Sequence, residues 1–199
     1  MGCSNCRKVS QKRVIFVIGG PGSGKGTQCC KISNEFNFEH LTTRDILLNV
    51  IAKQTVIGWE QLKQKIDSGV FLSSHELISF IKEEFKNINK TILFEGFPKN
   101  TENIEEWNKQ MINMCEVTAV LYFECSTDEM KKRLMKKQEA KIDNIEETIS
   151  KRIEIFNKET LPILEIYQKT GKLIKINAEK STEEIFEEVK TIIKEKKLN

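Results

Sequence analysis

The residues whose types and spacing are best suited to chemistry form the stretch Gly19-Gly20-Pro21-Gly22-Ser23-Gly24-Lys25-Gly26-Thr27, directly after the apolar run Val14–Ile18. Gly19 to Lys25 fits G-x-x-x-x-G-K, a loop whose successive backbone N–H groups converge on an oxyanion while the lysine adds a point charge. A strand that enters the loop and a helix that leaves it place those N–H groups at a helix N-terminus, where the dipole favours an anion. Gly20, Gly22 and Gly24 let the backbone come close to phosphate oxygens. A turn that merely reversed the chain would not need Lys25. The pattern departs at one place: Gly26 stands where Ser or Thr ordinarily follows the lysine, and Thr27 brings the hydroxyl one residue later. The predicted chemistry is capture of a nucleotide's phosphates.

Elements able to hold such a loop follow from the hydrophobic pattern. Short β-branched runs alternate with longer helical segments, which predicts an α/β fold with a parallel sheet covered on both faces. Five strands are expected, at Val14–Ile18, near Phe38–Leu41, at Thr91–Glu95, at Val117–Glu124 and at Leu173–Ile176. Four helix starts pair a hydroxyl with an acid three residues on: Thr42 with Asp45, Ser73 with Glu76, Ser126 with Glu129, and Ser181 with Glu184. Residues 144–170 read as one long helix that Pro162 kinks and Gly171 ends. Just before it, about 137–144 reads as a small lid.

Composition narrows the class further. A chain of 199 residues carries one substantial core, and its longest apolar runs are too short to span a bilayer. The formal net charge of +3 is spread along the chain without a basic block, so it gives no case for nucleic-acid binding. Cysteines at 3, 6, 29, 30, 115 and 125 show neither zinc-knuckle spacing nor the density of a secreted disulfide scaffold, which points to a reducing, cytoplasmic setting. Cys29 and Cys30 read as packing residues, His40 and His75 as structural or solvent-facing, and Trp59 and Trp107 as packing against helices. Residues 1–12 read as a tail in which Gly2 and Cys3 look like an acylation signal for membrane attachment, although Cys6 stands where Ser or Thr is preferred.

Four blocks in order, "GGPGSGKGTQC", "LTTRDILL", "FEGFPKN" and "DNIEETISKR", resemble the nucleoside monophosphate kinase family, from about Val14 to the C-terminus. The resemblance implies a P-loop NTPase fold of five parallel strands over residues 13–199, with a monophosphate-binding arm at about 42–73 and a short lid. It implies transfer of the γ-phosphoryl group of ATP, with Mg²⁺, to a nucleoside monophosphate, in a protein that works as a monomer. The carried-over donor loop is Gly20, Pro21, Gly22, Ser23, Gly24, Lys25, Gly26 and Thr27. Lys25, Lys99, Lys137, Lys141 and Arg152 would stabilise the transferring group; Thr43, Arg44, Gly96, Lys99 and Asn103 would meet the acceptor; Thr27 and Glu95 would organise Mg²⁺ through water.

Within the family "GFPKNTENIEEWNKQM" most resembles UMP-CMP kinases, with Asn103 as reader of uracil and cytosine, whereas Thr43 matches adenylate kinases. The family grips phosphates with arginine forks, yet this chain has only five arginines, at 7, 13, 44, 133 and 152. Leu48 stands at an arginine position of the acceptor site, while Lys99, Lys137 and Lys141 keep charge and lose the fork. Arg44 replaces a turn glycine and is a candidate to reach the phosphate that Leu48 cannot bind. Three readings therefore stand: a UMP-CMP kinase, an adenylate kinase, or a nucleotide-binding protein with a degraded acceptor site.

Overall fold

A computed structural model describes residues 11–54, 59–67, 72–137 and 145–199. Strands β1 (Lys12–Gly19), β2 (Glu39–Thr42), β3 (Ile92–Glu95), β4 (Cys115–Glu124) and β5 (Leu173–Asn177) form one sheet in the order β2-β3-β1-β4-β5, every pairing parallel. The α/β architecture with five parallel strands is thus the one the sequence pattern predicts. Its second strand starts one residue late, because Phe38 packs into the core from the preceding loop.

β1 explains why the fold is layered. Val14, Phe16 and Ile18 point to one face and Ile15 and Val17 to the other, and all are at most 2% exposed. The helices are α1 (Lys25–Phe36), α2 (Thr43–Lys53), α3 (Trp59–Asp67), α4 (Ser74–Lys86), α5 (Thr101–Met111), α6 (Thr127–Lys137), α7 (Ile145–Ile155), α8 (Leu164–Lys169) and α9 (Thr182–Glu195). Cys29 and Ile32 of α1 join Ile185, Val189 and Ile193 of α9 over the Ile15 face. Helices α2, α4, α5 and α8 cover the Phe16 face, where Phe16 meets Trp107 edge-on with ring centroids 5.0 Å apart. Trp107 is therefore a core residue.

The link from β1 to β2 passes beneath one face through α1, and the link from β3 to β4 passes over the other through α5. Where adjacent strands send their connections in opposite directions, a crevice opens at their C-terminal ends. Here that crevice lies above β1 and β3, so Gly20 and Glu95 border it.

Three of the four expected capping boxes form, at Thr42, Ser73 and Ser181. The fourth forms by half: Ser126 Oγ accepts from the Glu129 N–H at 3.4 Å, but the Ser126 N–H donates to Glu179 at 2.9 Å while the Glu129 carboxylate accepts from Arg133 at 2.7 Å. The single kinked helix expected over 144–170 is also corrected. Described from residue 145, it runs as α7, a π-turn at Phe156–Thr160, a 3₁₀ turn at Leu161–Ile163 and then α8. Gly171 ends it with φ 69°, as a left-handed cap requires.

Candidate functional site

The donor loop connects β1 to α1. Gly22 and Gly24 hold φ of 83° and 86°, the Ser23 N–H donates to the Gly20 carbonyl at 3.2 Å, and the Lys25 ammonium donates to the same carbonyl at 2.9 Å. Gly24 offers no side-chain cap, so the first N–H groups of α1 keep their capacity for an anion. The Ser23 hydroxyl is buried and has no partner among the described residues. Sterics fix this shape. A Cβ on Gly20 would stand 2.1 Å from the Met130 sulfur, and one on Gly22 would stand 2.8 Å from the Met130 carbonyl oxygen. Gly22→Ala therefore meets both a backbone clash and a left-handed φ, and thermal unfolding should register a loss of about 1–3 kcal/mol.

Beneath the loop, Lys25 lies within the electrostatic reach of Glu95, Cys29 and Arg152. Burial lowers the Lys25 pKa, the negative charge of Glu95 pulls it back up, and the positive charge of Arg152 lowers it further. Burial pushes the Cys29 thiol well above its ordinary range. Glu95, at the end of β3, accepts a hydrogen bond from or donates one to His40 with Nε2 and Oε2 2.9 Å apart, the direction set by their protonation. His40 is thus part-buried with a side-chain partner, the structural of the two roles the sequence suggests. A Cβ on Gly26 would lie 3.5 and 3.6 Å from the two Glu95 oxygens, so the carboxylate faces the start of α1 and the exposed Thr27 beyond it. Hard oxygen donors at the edge of an anion cradle fit Mg²⁺ held through its waters.

The acceptor side is built from α2, α4 and the turn after β3. Thr42 caps α2 by accepting from the Asp45 N–H at 3.1 Å, which sets Thr43 and Arg44 on its first turn. Thr43 keeps a buried hydroxyl without a partner. Arg44 and Leu48, one turn apart, are both exposed, and Leu48 is 49% accessible although apolar. Gly96 takes φ 71° and its N–H donates to the Val17 carbonyl at 2.9 Å, tying the turn to β1. Lys99 projects an exposed side chain from a clamped backbone: its N–H donates to Asn103 Oδ1 at 3.1 Å and its carbonyl accepts from Thr160 Oγ1 at 2.8 Å.

Asn103 is 6% exposed and its Nδ2 donates to Ser74 Oγ at 2.8 Å. Its amide oxygen and one N–H are engaged, leaving the second N–H. Ser74 was not foreseen, because a serine at the second position of a capping box carries no signal of a tertiary bond. His40, the second residue of the four-residue β2, carried no such signal, because only the pairing of β2 with β3 brings it beside Glu95.

Among the described residues the arginines divide in two. Arg13 donates to the Asn199 and Lys197 carbonyls, and Arg133 to Glu129 and the Ala178 carbonyl. Arg44 and Arg152 have no such partner, so two guanidinium groups stay free for anions. Lys137 closes α6, and its side chain, like all of Lys141 and most of the expected lid, lies outside the described residues. Gly2, Cys3 and the tail do as well. Cys29 packs in the core as expected, but Cys30 is exposed. His75 is exposed and bonds Glu106 at 2.8 Å, and with the Gln110 amide it holds that carboxyl below its usual range.

The adenylate kinase family model matches residues 17–172. The chain is 38% identical over 195 residues to UMP-CMP kinase 3 of Arabidopsis thaliana, covering 96% of this chain and 95% of that one. It is 39% identical over 180 residues to UMP-CMP kinase of Prunus armeniaca, covering 90% and 77%, and 34% identical over 184 residues to human UMP-CMP kinase, covering 88% and 94%. Among the described residues, no helix is long and apolar enough to cross a membrane.

Proposed function

This chain belongs to the adenylate kinase family, and on that premise we propose that it is a nucleoside monophosphate kinase that passes the γ-phosphoryl group of ATP to UMP or CMP. The observation that carries the reading is the joining of one crevice by a donor loop with free helix N–H groups, a half-buried lysine, and an asparagine that faces the acceptor arm. Relatives named UMP-CMP kinase, spanning nearly the whole chain, support the acceptor choice. Residues 13–199 make the kinase domain, with the arm at about 42–73 and the lid at about 137–144.

Gly20 to Thr27 hold the donor phosphates through backbone N–H groups, and Lys25 lends its ammonium to the β- and γ-oxygens. Thr27 and Glu95 would hold Mg²⁺ through water, and the ion would supply neutralisation of phosphate charge. Lys99 and Arg152, with Lys137 and Lys141 from the lid, face the group in flight, so the chain's part is positioning and charge stabilisation rather than covalent chemistry. Ser74 and the Lys99 N–H lock the Asn103 amide, which makes a flip between uracil and cytosine costly. The remaining N–H instead donates to the 2-carbonyl that both bases carry. Turnover of AMP, UMP, CMP, dCMP and GMP with ATP and Mg²⁺ tests this: UMP and CMP should lead, and preference for AMP or no preference would overturn it.

A second, weaker-enzyme reading draws on Leu48, which leaves the acceptor phosphate one arginine short. Arg44 stands one helical turn away with no hydrogen-bond partner among the described residues and takes up the anion in part. Leu48→Arg adds a charged hydrogen bond of about 1.5–3 kcal/mol, so kcat/KM for UMP should rise roughly tenfold to a hundredfold. An unchanged value assigns the phosphate to Arg44 alone. The protein is proposed to act as a cytoplasmic monomer, with Gly2 and Cys3 acylated for membrane attachment. Mass measurement of the N-terminus after expression in a cell with acyltransferases checks the last point.

A further inference from the structure

Cys29, His40 and Glu95 come from three elements to one place behind the donor loop. His40 on β2 lies opposite Leu93, so His40, Leu93 and Glu95 share the face of the sheet that α1 covers, and Cys29 descends onto it from α1. Their donor atoms, one thiol sulfur, one imidazole nitrogen and one carboxylate oxygen, all lie within 4.8 Å of one another. We propose that these three side chains bind a soft divalent cation of the zinc type, and that this ion competes with Mg²⁺ for Glu95.

The donor set decides the metal. Sulfur and imidazole select zinc or cobalt, whereas Mg²⁺ takes oxygen donors only and uses Glu95 from the nucleotide side. Tetrahedral zinc, with bonds of about 2.0 to 2.3 Å, holds its donors roughly 3.5 Å apart. The His40–Glu95 pair, 2.9 Å apart, opens slightly to that spacing while the sulfur, within 4.8 Å, draws in, and the ion replaces the hydrogen bond between His40 and Glu95. On coordination Cys29 releases its thiol proton to solvent, and the fourth position stays open to water. Lys25, held on the Gly20 carbonyl, is the cation facing the cluster, so affinity should fall below that of a four-ligand structural zinc site. Nothing in the cysteine spacing announces this site, since its ligands are 11 and 55 residues apart along the chain and only the β2-β3 pairing and the packing of α1 on that face join them.

The test is a Co²⁺ titration of the full chain carrying Cys3→Ser and Cys6→Ser, followed by Zn²⁺ displacement. One cobalt per chain should give a near-ultraviolet thiolate-to-metal band that Zn²⁺ abolishes. Cys29→Ser should remove the band, and His40→Asn should weaken Zn²⁺ binding in calorimetry at least about tenfold. ATP binding in each variant verifies the fold. No thiolate band in the parent, a band that survives Cys29→Ser, or unchanged Zn²⁺ affinity in His40→Asn overturns the proposal. The titration contains no acceptor, so its outcome is separate from that of the kinase assay.

Discussion

Arg152→Ala should lower kcat at least about 10³-fold while leaving the unfolding temperature within a degree or two. The side chain is exposed on α7 and has no hydrogen-bond partner among the described residues, so its removal opens no cavity and strands no buried group among them. Its charge nevertheless reaches Lys25 in the donor pocket. An arginine that meets phosphoryl charge only as the group transfers is worth about 10³ to 10⁵ in rate, and this chain has few forks to share the task. Arg152→Lys should recover only part of the loss, because an ammonium cannot hold two oxygens in one plane. Single-turnover kinetics with ATP and UMP separate the chemical step from release. A loss under tenfold would remove Arg152 from the reaction.

Lys25→Met should cost about 10²- to 10³-fold in kcat, the range for losing one preorganised donor, and should raise stability at neutral pH. The sign follows from burial. The folded pocket favours the neutral amine and lowers the Lys25 pKa from the ordinary 10.5. The cost of holding the ammonium is therefore fully present below the lowered value, and it fades as pH climbs from there towards 10.5. Methionine of similar length brings no charge into the pocket and so relieves that cost wherever the ammonium is present. Thermal melts at pH 7 and kcat measured side by side check both signs. A variant that is less stable and still active would contradict the assignment.

Much of the architecture was legible because it rests on local chemistry. The run Val14–Ile18 is apolar at every position, which marks a strand buried on both faces. Three hydroxyl-acid pairs mark helix starts that do form. The donor loop is legible for the same reason, since its glycines and lysine are contiguous. What sequence could not supply arises from distant contacts. Glu179 lies 53 residues beyond Ser126 and takes the N–H that a capping box would have used. Ser74 holds Asn103 across 29 residues, and His40 meets Glu95 across 55. Acceptor recognition is hardest to read, because Leu48 and Arg44 differ from the family pattern in type while keeping the helical spacing.

The π-turn at Phe156–Thr160 inserts one residue more per turn than an α-helix would. Phe156 abuts Gly20 of the donor loop, and Thr160 bonds the Lys99 carbonyl on the acceptor side. The widened turn thus acts as a phase setter for everything upstream of it. Deleting one residue between Phe156 and Thr160 would rotate α7, and Phe156 with it, by about 100° relative to the Thr160 anchor, changing where Arg152 points while leaving the sequence of the donor loop untouched.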